Sequence, residues 1–287
     1  MQKIFAALDH PGEETRVVGG AVRDALYGRA VREIDLAATA PPRATLERAA
    51  AAGLRALPTG FAHGTVTILV DGESFEVTTL REDVETDGRR ARVRFGRDFA
   101  ADAARRDFTI NALSLSRDGA LHDYVGGLDD AAARRVRFIG DPDRRIAEDF
   151  LRILRFFRFS ADYADTIDAA GFWACARQRA GVERLSRERL RAELMKTLHS
   201  RRAAPALAAM GETGALGAIL GGVVNPARLA RLIESAPDAC ALLRLAALAL
   251  DAQEDAARLA ARLRLSTAER DRRARAGAAL AVFHARR

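Results

Sequence analysis

The residues best suited to chemistry stand in a few short runs of the 287-residue chain. In GGAVRDALYGRAVREIDLA, Gly19 and Gly20 precede Arg23, and Glu33 and Asp35 flank one isoleucine. Glycines without a Cβ let a phosphate approach backbone N–H groups where a strand gives way to a helix, with Arg23 beside it. The plain alternative is a tight strand-to-helix turn. If REIDLA is a strand, carboxylates at i and i+2 project from one face. Hard oxygen ligands that leave positions for water and phosphate are what Mg²⁺ prefers. Two such ions activate an attacking hydroxyl and stabilise a leaving pyrophosphate. A solvated edge strand is the competing reading. Glu76, in SFEVTTL, is a candidate third carboxylate or a surface residue.

Two further runs carry arginines beside hydrogen-bonding groups. ARRDFTINAL, residues 104–113, reads as an otherwise helical segment in which Asp107 and Asn111, at i and i+4, share a face. The planar fork of Arg106 suits triphosphate oxygens, and a carboxylate suits ribose hydroxyls. Alternatively, Asp107 caps the helix and Asn111 bonds the backbone. EDFLRILRFFRF, residues 148–159, is apolar except for its first two residues, Arg152, Arg155 and Arg158, and so reads as a buried helix with an arginine stripe. Buried guanidinium groups need anionic partners, either internal carboxylates or a bound polyphosphate. Asp149 and Arg152, at i and i+3, set an acceptor beside a donor. That pattern complements cytosine and adenine and leaves guanine and uracil unpaired.

The elements that must position these groups change character along the chain. TRVVGG, GTVTILVDG and SFEVTTL are β-rich, and GTVTILVDGESFEVTTL reads as a hairpin around an Asp-Gly turn. After VGGLDD, helix formers dominate, in RIAEDFLRILRFFRFSADY, SRERLRAELMKTLHS, APALAAMGETGALGAIL and ALLRLAALALDAQEDAARLAARLRL. With 49% hydrophobic and 30% charged residues, the chain has enough apolar material for roughly two domains. A net charge of +7 favours a polyanionic partner, although a compositional bias toward Arg and Ala explains the same excess. Cys175 and Cys240 lie far apart, and the histidines do not cluster, which removes zinc and disulfide frameworks and fits a cytoplasmic protein. No run approaches the ~20 apolar residues of a membrane span.

In this order, the segments resemble the class II tRNA nucleotidyltransferase (CCA-adding enzyme) and bacterial poly(A) polymerase family. GGAVRD with E-x-D is similar to the family's metal motif, RRDFTINAL to its ribose motif and EDFLRILRFFRF to its base-reading motif. LSRERLRAELMKTL, residues 185–198, is similar to the helix-supporting motif that follows. The resemblance implies an α+β chain. A polymerase β-like nucleotidyltransferase head with a mixed sheet (1–125) precedes an all-α neck with the base-reading motif (126–200) and an RNA-binding body with a shortened tail (201–287).

By the same resemblance, Gly20 and Arg23 bind the incoming nucleotide with Gly19 at the turn, Glu33 and Asp35 hold Mg²⁺, and Arg106 grips the triphosphate. Asp107 and Asn111 select the sugar, and Asp149 and Arg152 read the base with Arg155 and Arg158 in support. The implied reaction adds C, C and A to the tRNA 3′ end from CTP and ATP. The alternatives are poly(A), A-only or CC-only addition, or a silent RNA-binding relative. LREDVETDGRRARVRF, residues 80–95, reads as a loop that helps the site switch from CTP to ATP. Many members carry Asp where Glu33 stands, and an extra methylene that displaces a ligand by ~1 Å costs ~10²-fold unless the backbone compensates. Oligomeric state is not legible.

Overall fold

A computed structural model describes residues 1–83, 93–251 and 253–264. Most of the proposed switching loop, residues 84–92, and the terminal stretch after residue 264 lie outside the described residues. The chain divides into two compact units, Met1–Ala133 and a second that begins at Arg134.

The first unit opens with α1 (Gln2–Leu8), β1 (Thr15–Val18), α2 (Gly20–Leu26), β2 (Asp35–Ala38) and α3 (Pro42–Ala51). It continues through β3 (Arg55–Gly60), β4 (Thr65–Val70), β5 (Glu73–Thr79), β6 (Arg81–Asp83) and β7 (Val93–Phe95). It closes with α4 (Phe99–Ala104), β8 (Ser114–Ser116), β9 (Leu121–His122) and α5 (Gly127–Ala132). A seven-stranded mixed sheet runs in the order β3-β4-β5-β2-β1-β8-β9, and β6 pairs with β7 separately. Within the large sheet β2 and β5 run parallel and the other pairs are antiparallel.

The hairpin forms where alternation demands it. Val66, Ile68 and Val70 of β4 are buried, as are Phe75 and Val77 of β5. Asp71 and Gly72, both at positive φ (53° and 87°), make the two-residue turn whose twist matches paired strands. These residues join Phe5, Leu8, Val17, Val22, Leu36 and Leu113 in one core.

The head extends past the composition change at VGGLDD because α5 is tied into it. Thr109 donates its hydroxyl to the buried Asp130 of α5 at 2.6 Å.

The second unit is helical: α6 (Pro142–Glu148), α7 (Leu151–Tyr163), α8 (Ala169–Gln178), α9 (Arg187–His199) and α10 (Ala203–Glu212). Then follow α11 (Ala215–Leu220), α12 (Pro226–Ser235), α13 (Ala241–Ala249) and α14 (Gln253–Leu263). Two of the long helices expected from sequence are each split in two, one at Thr213-Gly214 and one after Ala249.

The EDFLRILRFFRF run, residues 148–159, is also not one helix. Asp149 is extended (φ −154°, ψ 108°) between α6 and α7. Its Oδ1 accepts the Leu151 N–H at 3.1 Å, a local turn just before α7 that competes with helix continuation. Phe150 lies so close over Gly181 that any Cβ there would collide with its ring, so the break is also a packed contact.

Candidate nucleotide site

The carboxylates assemble on the central strands. The register places Asp35 opposite Val18 on β1 and opposite Glu76 on the parallel β5. Adjacent residues on neighbouring strands share a face, so Asp35 and Glu76 stand side by side. Glu33 is not in the strand, contrary to the expected REIDLA strand. Pairing starts at Asp35, opposite Val18, the last residue of β1 before the Gly19 turn. Glu33 still acts on Asp35. The Asp35 carboxyl is raised above the ordinary carboxylate range, first by desolvation among surrounding protein, then by the negative charges of Glu76 and Glu33, against a smaller opposing pull from Arg106. Its surface remains exposed. Among the described residues, no group of three or more His, Cys, Asp or Glu side chains is placed to hold a metal by itself.

The glycine turn and the RRDFTIN run meet in a polar network. ARRDFTINAL is not helical throughout. α4 stops at Ala104, Phe108 is extended (φ −121°, ψ 147°), and a 3-10 turn covers Thr109–Asn111. Asp107 drives the break, since its Oδ1 accepts the N–H of Phe108 at 2.9 Å, and the buried Phe108 and Ile110 anchor the extended path. Asp107 and Asn111 nonetheless meet, as Asn111 Nδ2 donates to Asp107 Oδ1 at 3.0 Å. Asn111 Oδ1 accepts from Arg23 Nη1 at 2.6 Å. Arg23 also donates from Nε and Nη2 to Asp24 Oδ1, at 3.0 and 2.8 Å. Gly19 sits at φ 67°, a conformation that strains any side chain, and a Cβ there would lie 2.7 Å from the tip of Arg106 at Nη1. The turn therefore has an arginine tip beside it, next to the backbone where the sequence suggested the approach of a phosphate.

The helical unit holds the remaining candidates. Asp149 and Arg152 are each engaged elsewhere. Asp149 Oδ2 accepts from Arg189 Nη2 at 2.7 Å, and Arg152 Nη1 donates to the Arg145 carbonyl at 2.8 Å and pairs with Glu148. Arg155 and Arg158 find an internal carboxylate, the buried Glu193 of α9. Arg158 Nε donates to Glu193 Oε2 at 2.6 Å, and Arg155 Nη1 lies 4.0 Å from Oε1. Of the two partners that a buried arginine stripe requires, these arginines have the internal one, a pair that fixes α7 on α9.

Sequence reasoning passed over Glu193, Arg189 and Asp102. Glu193 had a signal, because it occupies an apolar-stripe position with Leu190, Leu194, Thr197 and Leu198, all buried. Asp102 had one too, standing three and four residues before the paired arginines. Arg189 had none.

A mixed sheet carrying a glycine turn and adjacent carboxylates, followed by an all-helical unit, defines a nucleotidyltransferase-type head with a helical extension. Residues 15–137 match the family described as the poly A polymerase head domain, and residues 166–224 match the probable RNA and SrmB-binding site of polymerase A. CCA tRNA nucleotidyltransferase 1, mitochondrial, of Mus musculus is 44% identical over 205 residues, 69% of this chain and 46% of that protein. The CCA-adding enzyme of Leuconostoc citreum is 40% identical over 201 residues, 69% of this chain and 48% of that protein. The crystal structure of the Bacillus stearothermophilus CCA-adding enzyme in complex with CTP superposes with a TM-score of 0.77 at 30% identity, covering 97% of this chain and 68% of that one. The chain belongs to the family of CCA-adding enzymes and poly(A) polymerases. It spans about half the length of the curated relatives it matches.

Proposed function

We propose that the protein adds C, C and A to the 3′ end of tRNA without a nucleic-acid template, using CTP and ATP and releasing pyrophosphate, with Mg²⁺ as cofactor. The observation that carries this reading is the side-by-side placement of Asp35 and Glu76 on parallel strands, with Glu33 and Arg106 close enough to shift Asp35 electrostatically. These hard oxygen donors fit Mg²⁺. Like charges crowd Asp35, and a divalent cation relieves that repulsion while keeping positions for water and phosphate. Glu33 and Asp35 would hold it, with Glu76 adjacent. When bound, the ion lowers the effective pKa of the attacking 3′ hydroxyl and neutralises charge on the leaving pyrophosphate.

The chain's own groups bind and orient. Arg106 takes the triphosphate beside Gly19, Gly20 and Arg23. Asp107 and Asn111, nearly buried and bonded to each other, present a fixed edge to the ribose. By likeness to the family, Asp149 and Arg152 of the helical unit are the base readers, a role that competes with their internal bonds to Arg189, Arg145 and Glu148, and Glu193 holds Arg158 of α7 on α9. The names of the relatives and the CTP-bound Bacillus structure support this choice of substrates. A cytoplasmic location belongs to the same reading.

Incubation with tRNA that ends before CCA decides it. CTP alone is expected to extend the tRNA by two residues, and CTP with ATP to complete CCA. Incorporation from ATP alone, or a long A tract on arbitrary RNA, replaces the reading with A-only or poly(A) addition. Tight tRNA binding without incorporation makes the chain a silent relative.

A further inference from the structure

Arg106 is the residue here best placed for a triphosphate, yet a free arginine side chain samples many rotamers and grips anions poorly until something fixes it. Asp102 of α4 is that fixture. Its side chain is 4% exposed for the residue, and both carboxylate oxygens are engaged. Oδ2 accepts from Arg106 Nε at 3.1 Å and from Nη2 at 3.0 Å. Oδ1 accepts from Arg105 Nε at 3.0 Å and also pairs with Arg105 Nη2. The far end of Arg106 is fixed as well, since Nη1 donates to the Asn111 carbonyl at 3.1 Å. The same Nη1 rests against Gly19, 2.7 Å from where a Cβ would stand.

We infer that Asp102 is a positioning residue for the polyphosphate of the incoming nucleotide, acting through Arg106. This rests on the nucleotidyltransferase reading above. One buried carboxylate between two guanidinium groups leaves the cluster with one net positive charge. The bonds occupy the Nε edge of Arg106 and one N–H of Nη1, so that, among the described residues, each terminal nitrogen keeps an N–H for phosphate oxygens. Removing the carboxylate leaves two adjacent guanidinium charges that repel and takes away the bonds that hold the Nε edge of Arg106.

Asp102→Asn tests this with the shape of the side chain retained. The Michaelis constants for CTP and ATP, and the dissociation constant of Mg²⁺-pyrophosphate by calorimetry, are expected to rise together by ~10-fold or more, the scale of a misplaced binding group. The Michaelis constant for tRNA and the preference for CTP over UTP should stay near wild type, which a general loss of structure would not allow. Asp102→Glu, which keeps the charge, should fall between. If Asp102→Asn fails to fold, Asp102→Glu with a wild-type melting curve carries the test. Pyrophosphate binding within twofold of wild type in the folded variant overturns the assignment, as does a wild-type chain that binds no pyrophosphate. A wild type that binds pyrophosphate yet incorporates neither nucleotide removes the proposed reaction, and the variant-to-wild-type ratio then still decides the role of Asp102.

Discussion

Asp35 carries a pH signature that its neighbours impose. Desolvation, then Glu76 and Glu33, raise its carboxyl in the folded protein. The folded state therefore holds this proton more tightly than the unfolded chain. Below the ordinary carboxylate value both states are protonated and nothing is lost. As pH rises from that value through the raised one, the unfolded chain ionises first and stability falls. Asp35→Asn removes the charge and should melt up to ~2 °C above wild type at pH 7, a small effect because the carboxylate is exposed. The difference should vanish below the ordinary carboxylate range. Millimolar MgCl₂ should raise the melting temperature of the wild type and not of the variant, while coincident melts at pH 7 would sink the argument. Residue type alone singled out Asp35 and Glu76, whereas the expected i, i+2 strand spacing did not hold, because β2 begins at Asp35 and leaves Glu33 outside it. The sequence could not show which donors are spent internally. That Asp149 bonds Arg189, forty positions away, or that Arg106 lies against Gly19, depends on packing that no local pattern encodes.

Elements followed the same division. The hairpin was readable because alternation and an Asp-Gly turn specify it locally, whereas helix breaks inside apolar runs were not. Asp149 shows why: its side chain makes a local turn just before a new helix, in the middle of a sequence with continuous helical character. The arginine stripe on α7 was visible, but its partner was not, because Glu193 lies thirty-five positions downstream of Arg158 on another helix. This pair gives the element its test. Glu193→Gln leaves the Arg158 guanidinium, largely buried, without its counter-charge. Unfolding free energy by urea titration should fall by roughly 3 kcal/mol, near the low end for a broken buried pair because Arg158 keeps some solvent contact. Adding Arg158→Met to Glu193→Gln should recover part of that loss, since the uncompensated charge then disappears. A loss below ~0.5 kcal/mol in the single variant would mean that α7 and α9 are held by apolar packing alone.

For the whole molecule the question is what the excess of positive charge does. The sequence carries 46 basic against 39 acidic residues, hence +7, and a compositional bias toward arginine would give the same sum without any polyanionic partner. The structure sharpens the distinction. Arg23, Arg106 and Arg158 are bonded to acidic side chains inside the protein, so the arginines nearest the proposed chemistry contribute little to a long-range field. For the proposed tRNA substrate, attraction would then fall to exposed basic groups such as Arg184 and Arg201 in the segment matched to an RNA-binding family, since the exposed Arg177, Arg189 and Lys196 are themselves paired with carboxylates. Contacts of that kind release counterions. If the surface neutralises a handful of phosphates, raising KCl from 50 to 200 mM should weaken tRNA binding by about 10²-fold, measured by filter retention at fixed Mg²⁺. Pyrophosphate affinity should change far less over the same range, because Arg106, the arginine proposed to hold it, is pre-set by a buried carboxylate and its site is local. A tRNA affinity that moves by less than about threefold would assign the arginine excess to composition and leave tRNA recognition to shape and stacking.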